Sequence, residues 1–161
     1  MPKLIKDGVL ADNEWTLLSD AEAEVPATGK VIVALPVWQA QRDALLARGD
    51  VAVWLESTDD VGEFGADAEQ LPLVAVNFPA FADGRGFSIG RLLRERYNFS
   101  GELRAVGNFI RDQLCNLKRC GFNAFDCNPD IDQEAAIASL SDFTEAYQSS
   151  VDQPTPLFRR R

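Results

Sequence analysis

Histidine is absent from this sequence. That absence removes Ser-His-Asp triads, Cys-His dyads and Cys/His zinc sites, all of which need an imidazole as base or ligand. Cysteine is scarce. Cys115, Cys120 and Cys127 are an odd number with no disulfide framework, which fits a reducing compartment. Cys115 and Cys120 stand five apart on one expected helix and so point about 140° away from each other. They read as small buried hydrophobes rather than metal ligands. No apolar run approaches the roughly 20 residues that span a bilayer. The stretch from Met1 to Asp7 reaches an acidic residue before any apolar segment, so it has no secretory h-region. The expectation is a cytoplasmic protein without a metal centre or membrane segment.

Basic residues are also in short supply, and the formal charge of −9 argues against general nucleic-acid binding. Their distribution is uneven. Gly84 to Arg119 holds eight basic and three acidic residues, a net of +5, so the remainder carries −14. Seven of those eight are arginine, the side chain suited to forked contacts with carboxylates and oxyanions. The bland reading, two solvated helix faces that use arginine, stands beside it. The 161 residues suit a single domain.

Hydropathy patterning supplies the elements. Leu4 to Leu10 and Glu14 to Leu18, joined through Ala11-Asp12-Asn13, read as an N-terminal hairpin within residues 1–18. Five strands follow at Val31–Leu35, Val51–Leu55, Leu71–Phe78, Glu102–Val106 and Phe122–Cys127. Between them lie helices over Val37–Arg48, Ile89–Tyr97 and Asn108–Cys120, and a short or irregular one within Thr58–Gln70. A last helix spans Ile131–Ser149, and residues 151–161 form a flexible tail after a domain of residues 1–150. Continuous runs such as Val-Ile-Val-Ala-Leu indicate a mainly parallel five-stranded α/β sheet. Strand order stays open between a doubly wound sheet and a partial β/α barrel.

In parallel α/β folds, function gathers beyond the carboxyl ends of the strands. That rule selects Glu56, then Asn77, Asp83 and Arg85, then Asn108 and Arg111, then Asp126 and Asn128. Asp83-Gly84-Arg85-Gly86 reads as a tight turn in which Gly84 takes a positive φ and Ser88 caps the next helix. The N–H groups of that helix start, with Arg85 beside them, would make an anion site. Arg91 and Arg94 are expected to face outward from this helix, and Asn108 to cap the following one. Arg104 lies at a strand end, and Asp112 adjoins Arg111.

No cofactor motif is complete. Gly84-Arg85-Gly86 with Gly90 is one residue too long for the dinucleotide fingerprint, and no phosphate-binding P-loop occurs. Pro36-Val37-Trp38 lacks the Ser, Thr or Gly that would hold a flavin phosphate. Asp59-Asp60 follows the second parallel strand, not the first as in a phosphoacceptor domain.

Phe78-Pro79, Phe81, Asp83-Gly84-Arg85-Gly86, Arg91-Leu92-Leu93-Arg94-Glu95-Arg96-Tyr97, Gly101 to Gly107, Arg111-Asp112-Gln113-Leu114 and Arg119-Cys120-Gly121-Phe122 together resemble a proteobacterial domain-of-unknown-function family. That family is loosely labelled an oxidoreductase and typically encoded beside assimilatory sulfite reductase. The likeness extends from Lys6-Asp7-Gly8 through Tyr147. It implies a place in sulfur assimilation, with sulfite reductase as partner. Ala80, Ala82 and Asn108 depart from the family pattern, whereas Asp83, Arg85, Arg111 and Asp112 keep it.

Three functional readings follow: an accessory protein docking on sulfite reductase for assembly or electron supply, an enzyme or sensor for a small oxyanion, and a structural interaction domain without ligand. The residues assigned to ligand or partner binding are Asp83, Gly84, Arg85, Gly86, Ser88, Arg91, Arg94, Arg104, Asn108, Arg111 and Asp112, with no cofactor and no nucleic acid.

Overall fold

Apolar runs become buried strands, and the chain alternates them with helices. The computed structural model describes residues 3–20, 22 and 24–160. Its strands are β1 (Lys3–Lys6), β2 (Val9–Asp12), β3 (Thr16–Leu18), β4 (Val31–Ala34), β5 (Val51–Leu55), β6 (Leu73–Phe78), β7 (Glu102–Gly107) and β8 (Ala124–Phe125). The α-helices are α1 (Leu35–Ala40), α2 (Arg42–Leu46), α3 (Val61–Ala68), α4 (Arg85–Glu95), α5 (Leu114–Arg119) and α6 (Gln133–Ser139).

All eight strands form one sheet, in the order β2-β1-β8-β7-β6-β5-β4-β3. The expectation of five strands is therefore corrected, because β3 and the hairpin join the sheet as well. From β3 to β8 the strands are parallel and strictly sequential. A doubly wound sheet reverses its order at a switch point, and this one never does. Every parallel crossover therefore turns the same way, which gathers the helices on one face. The result is a curled half-barrel.

The hairpin is also differently placed. Its strands are β1 and β2, turning at Asp7-Gly8 with φ of 50° and 80°. Positive φ at both central residues is what a two-residue type I′ turn needs, and Asp-Gly supplies it. β1 runs antiparallel to β8 at one end of the sheet, while β3 pairs with β4 at the other. Seven strand spacings laid flat would separate β2 from β3 by about 34 Å. The chain from Asp12 to Thr16 reaches at most about 14 Å. The sheet must therefore curl until its two edges come within that reach.

Pleating sorts the side chains onto two faces. Val31, Val33, Val51, Val53, Val74, Val76, Leu103 and Phe125 pack against Trp38, Phe64, Leu93 and Leu117 of the helices. Leu93 is wholly buried, and truncating such a leucine to alanine costs about 2–5 kcal/mol. The concave face carries a smaller cluster, Ile32, Ala52, Trp54, Leu73, Ala75 and Val106, covered by Trp15 from the β2–β3 linker. The half-barrel is thus partly filled by its own chain.

Several helices are shorter than their sequence patterns. The segment after Pro36 breaks at Gln41 into α1 and α2. The helix expected over residues 131–149 stops after Ser139, where Lys118 Nζ donates to the Leu140 carbonyl at 3.3 Å. Residues 151–160 touch the body through Val151 N to Arg119 O and Arg160 to Glu145 and Ala146. Among the described residues, no helix is long and apolar enough to cross a membrane.

Candidate functional site at the carboxyl rim

The loops leaving β5, β6, β7 and β8 meet at one rim and are tied together by side chains. After β5, Glu56 accepts from Trp54 Nε1 at 2.6 Å and from Asn77 Nδ2 at 2.7 Å. Glu56 and Asn77 share the concave face with Trp54, because residues two apart on a strand point the same way. Ser57 Oγ donates to Asp83 at 2.8 Å, linking the β5 loop to the β6 loop. Asn108 Nδ2 donates to the Pro79 carbonyl at 2.9 Å, and Asn128 Nδ2 donates to Asn108 Oδ1 at 3.3 Å.

The loop from Phe78 to Arg85 folds on Asp83. Its carboxylate accepts from Arg85 Nε at 2.9 Å, Arg85 Nη2 at 2.7 Å and the Arg85 backbone N–H at 3.1 Å. The Arg85 side chain, then Ser57, then the backbone N–H hold the Asp83 carboxyl well below the usual range. The Arg85 fork therefore faces an internal carboxylate. Two expectations about the loop are corrected. Gly84 has φ −82° with nothing within 4 Å of an added Cβ, so no positive φ is required. Ser88 lies within α4, which already starts at Arg85 because Asp83 takes the first free N–H.

Gly86 and Gly90 matter for packing instead. A Cβ at Gly86 would stand 2.6 Å from the Phe78 ring, and one at Gly90 would stand 2.3 Å from Phe122. The i, i+4 pair lets α4 lie directly on these rings.

The remaining arginines are dispersed and engaged. Arg94, expected to face outward, turns inward. It donates to the carbonyls of Gly121, Phe99 and Gly101 and to Asn123 Oδ1 at 2.7–3.2 Å. Burial lowers its affinity for the proton. Arg91 pairs with Glu95 at 3.0 Å. Arg104 is buried on the concave face, held by Glu102 Oε1 at 2.6–2.7 Å and by Asn13 Oδ1 at 3.0 Å. Arg111 and Asp112 are exposed and paired loosely at 3.7 Å. Asn108 caps no helix, since the 3-10 turn after it starts at Arg111 with Ile110 before it.

Asp126 ends β8. Burial raises its pKa, with Arg104 pulling the other way. Burial, and then the charge of Asp126, push the Cys127 thiol up to about 11, so it stays protonated at neutral pH. Burial likewise raises Cys120. Among the described residues, no group of three metal-ligating side chains comes together.

Two contributors escaped the sequence reading. The Gln113 side-chain amide accepts from Ile110 N at 3.1 Å and donates to the Phe81 carbonyl at 2.8 Å. It thereby ties the Phe81 backbone to that of Ile110, and both side chains are exposed, at 60% and 43%. Pro79-Ala80-Phe81-Ala82, an apolar run within a loop, was the available signal.

The family described as "Bacterial protein of unknown function (DUF934)" matches residues 52–158. No curated protein and no solved structure matches the chain.

Proposed function

The chain belongs to the DUF934 family of bacterial proteins, and on that premise we propose that it is an accessory protein of assimilatory sulfite reduction that docks on sulfite reductase through its carboxyl rim. The observation that carries this reading is the Gln113 amide that joins the backbones of Phe81 and Ile110, two exposed apolar residues of the carboxyl rim. Exposed apolar side chains on a rim that also carries Arg85, Arg111 and Asp112 have the make-up of a protein interface.

The oxyanion reading receives less support. Arg85 faces Asp83, Arg94 faces carbonyls, and Arg104 is buried against Glu102. A free anion would compete with an internal carboxylate at Arg85. The resemblance in sequence supplies sulfite reductase as the partner, and the docking role agrees with the absence of any complete cofactor motif.

The test is direct binding of the purified chain to the purified haemoprotein subunit of sulfite reductase, followed by fluorescence anisotropy. Saturable binding is expected, weakened at least about tenfold by Phe81→Asp, a loss of about 1.4 kcal/mol. Ile110→Asp should act in the same direction, with melting temperature unchanged in both. Failure of the wild-type chain to bind, or binding unaffected by both substitutions, would overturn the proposal.

A further inference from the structure

At the opposite end of the strands, the half-barrel holds a cavity of about 280 Å³ between the concave face and the β2–β3 linker. Its floor carries Arg104 and Glu102 from β7 and Lys6 from β1. Its mouth is made by Lys30, just before β4, by Asp12 at the end of β2 and by Glu14 of the linker. Trp15 forms one wall. The cavity is separate from the Phe81 rim and bears on no part of the docking reading.

We propose that this cavity binds a small zwitterionic α-amino acid. Charge is the first argument. Three cations and three carboxylates line a volume near the lower end of small-molecule sites, which run from about 300 Å³ upward. A ligand of one sign would leave half of them facing a like charge, whereas a zwitterion matches both sets.

The mouth gives the second argument. Lys30 and Glu14 form an ion pair with each other, and both side chains are about half exposed. An exposed pair of this kind contributes little and opens readily. An α-carboxylate can take Lys30 while an α-ammonium takes Glu14, so both partners are satisfied when the pair separates. A simple amine or a simple acid would strand one of them.

The third argument is the floor. Arg104 and Lys6 share Glu102, with Lys6 Nζ at 2.7 Å and Arg104 Nη2 at 2.6 Å. Glu102 and Asn13 engage all three nitrogens of Arg104, whereas the Lys6 ammonium, with one contact to Glu102 and 43% of its side chain exposed, keeps donors for the same ligand carboxylate that takes Lys30. The Trp15 indole offers apolar surface to a small side chain.

The experiment uses the whole 161-residue chain and the standard α-amino acids as probes, each measured by thermal shift and by tryptophan emission, with Trp15→Phe run beside wild type to isolate the Trp15 signal. The expected result is that at least one amino acid raises the melting temperature and changes the emission. The matching amine without a carboxylate and the matching acid without an amine should do neither. Glu14→Gln and Lys30→Gln, both at exposed positions that leave the fold intact, should each weaken binding about tenfold. The proposal is overturned if no amino acid binds, if the amine or acid binds as well as the amino acid, or if both variants bind as tightly as wild type.

Discussion

The Ser57 hydroxyl donates to the Asp83 carboxylate at 2.8 Å, so the loop after β5 holds the residue that starts α4. Because hydrogen bonds to Asp83 favour its charged form, its folded pKa lies below the unfolded one. The stability it contributes is complete above the unfolded value, about 3.9, and is lost as pH falls below it. Asp83→Asn should therefore melt lower than wild type at neutral pH, and the gap should narrow as pH drops below about 4. Melting curves from pH 7 to pH 3 check this, and a gap independent of pH would contradict it.

Asp126 gives the opposite dependence. Burial raises its folded pKa above the unfolded value, so the protonated form is favoured in the fold. Its contribution is fully present at low pH and is lost as pH rises through the folded pKa. Asp126→Asn should raise the melting temperature by about 1–3 °C at pH 7 and leave it unchanged near pH 3. A lower melting temperature at pH 7 would show that Arg104 outweighs burial.

Three glycines of one short stretch should behave differently. Gly86→Ala and Gly90→Ala drive a Cβ into the Phe78 and Phe122 rings, and overpacking of this kind costs about 1–3 kcal/mol. Gly84→Ala meets nothing within 4 Å and keeps an ordinary φ, so it should stay within about 1 kcal/mol of wild type. Urea denaturation of the three variants separates these outcomes. A collapse at Gly84 with tolerance at Gly86 would reverse the assignment.

Arg94 is the clamp between the end of α4 and the segment before β8. Removing it leaves the Phe99, Gly101 and Gly121 carbonyls and Asn123 without their donor. Arg94→Ala should cost about 2–4 kcal/mol, since hydrogen bonds to charged donors are worth about 1.5–3 kcal/mol each and some acceptors recover water. Arg94→Lys should recover less than half of this, because a single ammonium cannot replace a planar fork. Chemical denaturation measures both, and full recovery by lysine would mean that charge alone matters.

Much of the central sheet was legible because each of its strands announces itself. Val51–Leu55 and Val31–Ala34 are continuous apolar runs, and the structure keeps their boundaries to within a residue. The order of the strands was not legible, since β1 finds β8 across 120 residues by pairings such as Ile5 with Phe125. The hairpin was misplaced although Asp7-Gly8 carried the strongest short turn signal in the N-terminal region. The apolar residues on both sides, from Leu4 to Leu10, mimic one continuous strand.

The site was legible in part. The strand-end rule selected Glu56, Asn77, Asp83, Asn108 and Asn128, and the structure brings them to one rim. What it could not select were the partners. Alternation alone places Glu102 and Arg104 on the same face of β7, yet their mutual pairing depends on burial that a local pattern does not reveal. Gln113 looked like an ordinary helix residue, and only the three-dimensional approach of two loops makes it a bridge.

The pairing of β1 with β8 also imposes an order on how the molecule comes into being. β1 pairs with β2 as soon as both exist, but that hairpin has no place in the rest of the sheet until residue 125 exists, while β3 to β7 can add to one another as they emerge. The hairpin must wait for β8, which follows every other strand. Its docking then draws the linker and Trp15 across the concave face. The hairpin and the linker therefore complete the interior last, and until they do the inner wall of the half-barrel stays open to water.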